Sequence, residues 1–421
     1  MAEGVEGSLT AAASAPRPGA GAWSAFALLR HRNYRLLWSG MLVSQTGSWM
    51  QFVALGYLVD RLTHAPIYLG LLGVSQALPR LLFAFIGGVV ADRLDRRRIL
   101  LATNLTMMAS ATLLAVLAAA DRIQVWHVLL IGAFNSFIQS FDVPSRQSLV
   151  PTLVAEGELM RAVSLLTMAF NGSGIFGPSL GGVVIAAVGE AGCFSVNALS
   201  YVAAVVALLR MEVPPRDRGS RESIGEDIRE GLGLLARNRH LLVVLGLVAV
   251  ISFFGRPYIR LMPAYAREVL HVGPRGLGVL QAAPSVGTIL AVLVVGAVAG
   301  TARKGQLLLG AAFATGALVA LFGASRWFTL SAALLVLAGT SQAVAQAAAN
   351  TLLQTSVGAD QRGRMMGLYS MVTFGMFALG TLPLGALAGW IGVGAALTLG
   401  GAVVALVVGL LATFGRGIAR L

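Results

Sequence analysis

Long apolar runs, separated by short charged or Pro/Gly-containing breaks, follow one another from near residue 36 to residue 413. Each run has roughly 20 residues, which as an α-helix is enough to cross about 30 Å of hydrocarbon. The pattern predicts an all-α membrane protein whose twelve transmembrane helices lie at residues 36–59, 67–91, 98–120, 125–144, 160–188, 191–210, 241–265, 276–300, 305–323, 327–354, 364–388 and 391–414. These helices leave no room for a soluble domain, and their even number places both chain ends on one side of the membrane.

The composition agrees with burial in lipid. Of the 421 residues, 57% are hydrophobic and 12% are charged, and the mean hydropathy is +0.79. A soluble core could not hide this much apolar surface. The 51 glycines suit a membrane bundle, because packing rather than hydrophobicity drives helix association in lipid and small residues allow close approach.

The longest polar interruption, at 211–240, contains Pro214 and Pro215, is rich in arginine and divides the chain into two halves. We predict a disordered cytoplasmic tail at 1–30, a six-helix bundle at 31–210, a cytoplasmic linker at 211–240, a second six-helix bundle at 241–414 and a short cytoplasmic tail at 415–421.

The two halves repeat short patterns at nearly one spacing. Gly73, Gln76, Ala77 and Pro79 recur 205 residues later as Gly278, Gln281, Ala282 and Pro284. A second match, 203 residues apart, sets Arg161, Met168, Gly172 and Gly177 against Arg364, Met371, Gly375 and Gly380. We therefore predict pseudo-symmetric halves, which many secondary transporters arrange around a central site.

The net charge of +13 is distributed unevenly along the chain. With the N-terminus in the cytoplasm, 23 of the 31 Lys/Arg residues fall in inner segments, five fall in outer loops and three fall within membrane spans. The positive-inside rule thus predicts cytoplasmic N- and C-termini, and it explains the basic charge without a nucleic-acid partner.

No pattern for catalysis or metal binding is evident. Cys193 is the only cysteine, and the five histidines stand singly near predicted helix ends or loops. No nucleophile and base set, metal-ligand cluster or phosphate loop is found. We therefore expect neither an enzyme nor a bound cofactor or metal.

Arg80 lies 12 residues before Asp92 on one predicted helix, which is about 18 Å along the axis and close to the membrane midplane. An intramembrane arginine is costly, which makes it a candidate functional residue. We hypothesise that Arg80 attracts an anionic or acceptor-rich ligand; the alternative is that it braces neighbouring helices. Arg256 is expected either to line the same cavity or to extend towards the membrane surface, and Arg260 is expected to extend towards the surface.

Other polar and aromatic residues at membrane depth complete the predicted cavity. Gln342, Gln346 and Asn350 are four residues apart and therefore share one helix face. The full set of candidate cavity residues is Gln45, Trp49, Gln76, Arg80, Asn135, Gln139, Phe253, Arg256, Gln342, Gln346 and Asn350. Some of the amides are expected simply to link neighbouring helices.

The segment 87–98, GGVVADRLDRRR, resembles the signature of the major facilitator superfamily, Gly-x-Leu-Ala-Asp-Arg-x-Gly-Arg-Arg/Lys. The positions in register are Gly88, Ala91, Asp92, Arg93, Arg96 and Arg97, whereas Val90 and Asp95 depart from the pattern. In that family the segment holds the cytoplasmic side closed. We expect Gly88 to permit a close helix contact and Asp92 to accept bonds at a helix end. The alternative is that the arginines only set the topology.

The segment 171–182, NGSGIFGPSLGG, resembles the antiporter motif of the same superfamily through Gly177, Pro178, Gly181 and Gly182. Ser173 stands where the motif has its first glycine. A proline bend and thin glycine surfaces allow a tight helix contact; an ordinary membrane kink is the alternative. The segments 47–83, 141–154 and 359–371 are similar to the drug and siderophore exporter branch, which includes the enterobactin exporter and macrolide efflux proteins.

The resemblance implies the major facilitator fold and a monomer in the bacterial inner membrane. It further implies export of a small amphiphilic or anionic compound by alternating access, with protons as the coupling ion. An importer on the same fold and a non-transporting receptor or scaffold remain alternatives.

Two groups of charged residues are expected near the cytoplasmic gate. Asp142 and Arg146 are four residues apart and are expected to form an ion pair, and Arg362 and Arg364 are expected to help close the inner face. Asp60 is expected to be a charge at the outer rim. The proton-carrying carboxylate is left open between Asp60, Asp92 and Asp142, as is coupling to a different ion.

Overall fold

The computed structural model describes residues 26–212, 239–298, 304–358 and 361–414, which form helices and short connections without a β-strand. Most of the predicted N-terminal tail, the interior of the linker at 213–238 and the C-terminal tail lie outside the described residues. The predicted all-α architecture is confirmed.

The helices, numbered in chain order, correspond one to one with the predicted helices. The first four are α1 (Arg32–Thr63), α2 (Pro66–Arg93), α3 (Arg96–Ala119) and α4 (Val125–Leu149). The helical run Leu159–Arg210 is broken at Gly189, whose φ of 74° lies in the left-handed region, so we count it as α5 (159–188) and α6 (190–210). α7 consists of Arg239–Val250, a π-helical turn at Ile251–Gly255 and Tyr258–Glu268. The last five are α8 (Pro274–Val298), α9 (Lys304–Ala324), α10 (Phe328–Thr355), α11 (Arg362–Ile391) and α12 (Val393–Phe414).

Length and composition alone identify nine membrane-crossing helical runs in the described ranges. One of these is the 52-residue run that contains both α5 and α6. α1 and α4 are not among the nine, and both carry polar residues along their length, such as Gln45 and Gln51 in α1 and Asn135 and Asp142 in α4. The helices that the apolar criterion misses are therefore ones that carry candidate functional side chains.

Helix packing divides the chain into two bundles. In the first half α1 packs on α5 and α6, α2 on α4, and α3 on α4 and α6; in the second half α8 packs on α10, α9 on α10 and α12, and α7 on α11. The main contacts between the halves are α2 with α11 and α5 with α8. Because α2 and α8 share one repeat, and α5 and α11 the other, these two contacts are related by the pseudo-symmetry that the sequence predicts.

The two bundles approach most closely at one end. We call the face where α1 begins and α12 ends the terminal face, and the opposite one the distal face. A Cβ built on Gly182 of α5 would lie 3.1 Å from the Cα of Gly278 in α8 and 2.4 Å from the carbonyl oxygen of Pro274. A Cβ built on Gly385 of α11 would lie 3.3 Å from the Cα of Gly70 in α2. All these residues lie in the distal halves of their helices, so glycine-mediated backbone contact closes the distal face.

This packing predicts that Gly182→Ala lowers the thermal unfolding temperature of the purified protein. The added methyl group would meet backbone atoms, and overpacking of this kind costs about 1–3 kcal/mol. Gly172→Ala on the same helix is the matched control, because a Cβ there meets nothing within 4 Å. Equal unfolding temperatures for the two variants would show that the α5–α8 contact is not tight.

Candidate substrate site between the two bundles

Arg80 lies midway along α2. It is 14 residues from Pro66 and 13 residues from Arg93, which places it about 20 Å from either end of the helix. Its guanidinium carbon lies 5.2 Å from the ring centroid of Phe374 in α11. A cation from the first bundle thus rests on an aromatic ring from the second, at the middle of the interface.

A break in α7 places a second arginine at this interface. The π-helical turn Ile251–Gly255 is followed by Arg256 and Pro257, and proline has no N–H to continue the helical bonding. π-Helical turns are frequent at functional sites. The Arg256 guanidinium lies 5.6 Å from the ring centroid of Phe377 in α11, and its buried Nε has no hydrogen-bond partner. Arg256 is therefore half-buried inside the protein rather than extended towards the membrane surface.

Arg260, one turn further along α7, reaches into the first bundle. It donates a 2.7 Å hydrogen bond to Oε1 of Gln76 in α2 and lies 4.5 Å from the ring centroid of Phe52 in α1. The expectation that Arg260 extends towards the membrane surface is wrong. Arg256 and Arg260 are four residues apart and therefore share one helix face. This spacing could have predicted that Arg260 faces the protein interior together with Arg256.

No acidic residue that the structure describes is paired with any of these three arginines. No described Asp or Glu side chain lies within 4.0 Å of a side-chain nitrogen of Arg80, Arg256 or Arg260. A cation–π contact contributes about 0.5–2 kcal/mol, whereas an unpaired charge at membrane depth costs several kcal/mol. The interface therefore carries a positive charge that the described side chains do not balance.

Aromatic and polar groups border the arginines. Trp49 packs edge-to-face on Phe52 with ring centroids 5.5 Å apart, and its buried Nε1 has no hydrogen-bond partner. The hydroxyl group of Tyr258 is also buried without a partner. Polar atoms with unused hydrogen-bonding capacity thus accompany the charge, together with flat apolar surfaces.

The other predicted cavity residues have varied positions. Asn135 accepts a 2.6 Å hydrogen bond from Ser110 of α3, so it links helices within the first bundle. Phe253 packs edge-to-face on Phe254, with centroids 4.7 Å apart. Among the remaining candidates, Gln346 is exposed, and the half-buried ones are Gln45, Gln139, Gln342 and Asn350. The interface rings that sequence reasoning did not single out are Phe52, Phe374 and Phe377.

The segment 93–98 connects helix ends at the terminal face. Asp95 caps α3 by accepting bonds from the backbone N–H groups of Arg97 and Arg98. Arg96 donates to the carbonyl of Ser148 at the end of α4, at 2.8 Å. Arg97 donates to the carbonyls of Leu208 and Leu209 at the end of α6, at 2.7 and 2.8 Å. Arg93 is exposed, and the side chain of Asp92 lies outside the described part of the structure.

The expected close contact at Gly88 is wrong, because a Cβ there would meet nothing within 4 Å. The neighbouring Gly87 makes the contact instead. A Cβ on Gly87 would lie 1.8 Å from the carbonyl oxygen of Ser140 in α4. Since the two glycines are adjacent in α2, they face different directions, and only the packing determines which one is needed.

The glycines of 171–182 make tight contacts. A Cβ on Gly177 would lie 2.4 Å from the Cβ of Trp49, and one on Gly181 would lie 3.1 Å from the Cα of Met50. Pro178 lies inside α5 between them. α5 therefore packs on α1 through Gly177 and Gly181, and on α8 through Gly182.

At the terminal side, Asp142 and Arg146 form the predicted ion pair. Asp142 is buried and also accepts bonds from Thr103 and Asn104 of α3, at 3.0 and 3.2 Å. Arg362 donates to the carbonyl of Gln354 at the end of α10, at 3.2 Å, and Arg364 is half-buried.

Asp60 is not a rim charge as expected, because its side chain is only 4% exposed. It accepts two hydrogen bonds from Arg267 of α7, at 2.7 and 3.0 Å. Arg267 also contacts Glu268 at 2.8 Å. The Asp60–Arg267 pair joins the end of α1 to the end of α7, so an ion pair between the bundles reinforces the distal face.

The described residues form twelve helices in two related bundles, with a polar site at the middle of their interface, and this arrangement defines a membrane transporter of the major facilitator fold. The chain belongs to the transmembrane secretion effector family, whose model matches residues 23–417. It is 28% identical over 399 residues to the uncharacterized MFS-type transporter YfiS of Bacillus subtilis (strain 168), covering 91% of this chain and 93% of that protein. It is 25% identical over 368 residues to the enterobactin exporter EntS of Salmonella choleraesuis (strain SC-B67), covering 86% of each. These relatives are transporters and not enzymes.

Two solved structures share the fold. The nucleoside transporter NupG superposes with a TM-score of 0.70 at 12% identity, covering 91% of this chain and 98% of that one. A bacterial homologue of the human lysosomal transporter Spinster, in an inward-facing and unoccupied conformation, gives a TM-score of 0.68 at 15% identity, covering 92% and 95%. At these identities the likeness concerns the fold alone.

The Asp60–Arg267 pair predicts that Asp60→Asn opens the distal face. In a Cys193→Ala background, Thr381→Cys is a suitable reporter, because Thr381 is 1% exposed at the α2–α11 contact. Removing one partner of a buried pair costs roughly 3–5 kcal/mol, which we discount because the Arg267 side chain is 36% exposed. We expect maleimide labelling of the purified protein to become about tenfold faster, equivalent to about 1.4 kcal/mol.

The control for this measurement is the exchanged pair Asp60→Arg with Arg267→Asp, which should restore slow labelling. Labelling of Arg122→Cys, at an exposed distal position, reports the reactivity of a freely accessible thiol. Unchanged labelling at Thr381→Cys in the Asp60→Asn protein would contradict a role for the pair in closing this face.

Proposed function

We propose that this protein exports a small anionic or amphiphilic organic compound across the bacterial inner membrane by alternating access, driven by the inward movement of protons. Its terminal face, with both chain ends, is cytoplasmic. The observation that carries the proposal is the set of three interface arginines without a described acidic partner.

The chemistry of the site favours a negatively charged ligand. A bound anion would supply the negative charge that balances Arg80, Arg256 and Arg260. In this low-dielectric setting the attraction between opposite charges is strong. The rings beside them offer flat surfaces to the apolar part of the same molecule. A substrate of drug or siderophore type, with acidic and aromatic portions, fits both features.

The arrangement of the bundles identifies the state of the transport cycle, and the comparisons with known proteins support its direction. Gly70–Gly385, Gly182–Gly278 and Asp60–Arg267 all hold the bundles together at the distal face. With the positive-inside orientation, this is the state in which an exporter loads from the cytoplasm. The relative named as an enterobactin exporter, and the family description as a secretion effector, agree with outward transport.

Gating would use the terminal ends of the helices. We assign this role to the 87–98 segment with Gly87, Asp92, Arg93, Arg96 and Arg97, to the Asp142–Arg146 pair, and to Arg362 and Arg364. Gly177, Pro178, Gly181 and Gly182 would guide the movement of α5 against α1 and α8, because the glycines bring α5 close to the backbone of Met50 in α1 and of Gly278 in α8.

A transport assay with a fluorescent aromatic anion tests the site. In everted membrane vesicles energised with an acid interior, the wild-type protein should accumulate fluorescein. Arg80→Ala should reduce kcat/KM by about tenfold or more at equal expression, since losing a charge contact to the substrate is worth at least about 1.4 kcal/mol. Arg122→Ala, on an exposed distal loop, is the matched control and should transport normally.

The same vesicles distinguish the competing functions. An importer would move the probe out of everted vesicles rather than into them. A receptor or scaffold would show no probe-dependent flux and would tolerate Arg80→Ala. Transport by Arg80→Ala at the wild-type rate would rule out the proposed role of this arginine.

The orientation has its own test. Reporter fusions or cysteine labelling should place 211–240 in the cytoplasm, because the arginine distribution anchors that segment there. Periplasmic labelling of this segment would reverse the topology and remove the argument for export.

A further inference from the structure

We infer that Asp142 is the residue that binds the coupling proton; this rests on the proposed proton antiport. The substrate site itself offers no described carboxylate, so the proton must bind elsewhere. Three carboxylates are buried among the described residues, at Asp60, Asp142 and Glu190. Asp60 and Glu190 lie at the distal ends of α1 and α6, whereas Asp142 lies seven residues, or about 10 Å, inside the terminal end of α4.

The ionised form of Asp142 holds two helices together. One carboxylate oxygen accepts from Thr103 and Asn104 of α3, and the other accepts from Arg146. The other described charged or titratable groups nearby are Tyr201 of α6 and Arg96, which bonds to the carbonyl of Ser148. When a proton adds to a carboxylate oxygen, no covalent bond breaks, but the attraction to Arg146 is lost and the α3–α4 connection weakens.

The helix at this point is built to move. Pro144 has no N–H to donate to the carbonyl of Ser140, one turn earlier, and Asp142 lies between these two residues. That carbonyl packs against Gly87 of α2, where any side chain would collide with it. α2 in turn carries Gln76 and Arg80 into the substrate site. Protonation of Asp142 therefore acts on a weakened segment of α4 that is in direct contact with a substrate-binding helix.

Polar groups lie on both sides of Asp142. Towards the terminal face, a crevice of about 20 Å³ is bordered by Ser44, Asn104 and Arg146, with room for about one water molecule. Towards the distal face, buried polar side chains follow one another on α6 and α1. The Tyr201 and Ser48 hydroxyls are 3.1 Å apart, and Asn197 donates to Gln51 at 2.7 Å. Water held by these polar groups would bring the proton to Asp142, which would release it to cytoplasmic water when the Asp142–Arg146 pair re-forms.

The second bundle has no equivalent. α10 is the counterpart of α4, and its sequence from Phe328 to Thr355 contains no charged residue. The proton site therefore belongs to the first bundle, apart from the interface where the substrate binds. Coupling would be transmitted by the shift of α4 against α2 rather than by competition of proton and substrate for one group.

Asp142→Asn tests this inference because it keeps the shape of the side chain and removes the proton site. In everted vesicles, gradient-driven accumulation of fluorescein should fall to the level seen with the gradient collapsed. Downhill exchange of fluorescein, without a gradient, should still be measurable but slower than in wild type, because exchange needs no net proton movement while the α3–α4 contact at Asp142 is weakened. Asp142→Glu, which retains a titratable group, should keep accumulation.

Glu190→Gln is the matched control. Glu190 is also a buried carboxylate paired with an arginine of the first bundle, Arg61 at 3.0 Å, and its variant should keep both activities. Retained accumulation by Asp142→Asn, or loss of both accumulation and exchange, would overturn the assignment. Absence of exchange in the wild-type protein would instead count against the proposed transport function.

Discussion

The positive charge between the bundles, which no described acidic side chain balances, is the constraint around which the rest of the structure is arranged. Guanidinium groups at membrane depth are tolerated only where protein, water or ligand can solvate them. Here aromatic rings from α1 and α11 and the amide of Gln76 provide part of that solvation. In the proposed function, a bound anion supplies the remainder, and the cost of burying the arginines then favours negatively charged substrates.

Two helices near this site share one structural feature, a proline that leaves a backbone carbonyl without its helical hydrogen bond. Pro144 in α4 and Pro257 in α7 cannot donate to the carbonyls of Ser140 and Phe253, respectively. A glycine from a neighbouring helix packs against each carbonyl: Gly87 faces Ser140, and a Cβ on Gly380 would lie 2.0 Å from the oxygen of Phe253. Because glycine has no side chain, the neighbouring backbone can approach the exposed carbonyl, and Cα–H···O contacts give a modest stabilisation. Each pair combines a weakened helix with a close neighbour, a combination suited to helices that must bend without separating.

The charged groups are separated by function along the membrane normal. The Asp60–Arg267 pair closes the distal face, the arginines occupy the middle, and Asp142 with Arg146 lies towards the terminal face inside the first bundle. Because of this separation, a change of charge at Asp142 does not directly neutralise the arginines at the middle of the interface. It must act by moving helices, and the contacts of α2 with both α4 and α11 offer the mechanical connection.

The predicted site agrees with the structure where a residue's environment follows from its depth. Arg80 and Gln76 lie at the interface, because a polar side chain in the middle of an apolar span has few alternatives to the protein interior, and the structure decides between the two positions left open for Arg256. The Asp142–Arg146 pair was predictable because four residues form one helical turn. Arg260 and Asp60 were misplaced, since a residue near a helix end can reach either water or a neighbouring helix, and its own sequence neighbourhood is the same in both cases.

The sequence by itself therefore determined the number of membrane helices, their expected sidedness and the presence of charge at membrane depth, because each depends on local composition and on the thickness of the bilayer. Only the tertiary structure decided that Gly87 rather than Gly88 makes the helix contact, that Phe52, Phe374 and Phe377 meet the arginines, and that Asp60 pairs with Arg267 across 207 residues of chain. These facts depend on how each helix is rotated about its axis and which bundle it faces. Such rotations are fixed by packing between segments distant in sequence, which no local pattern specifies.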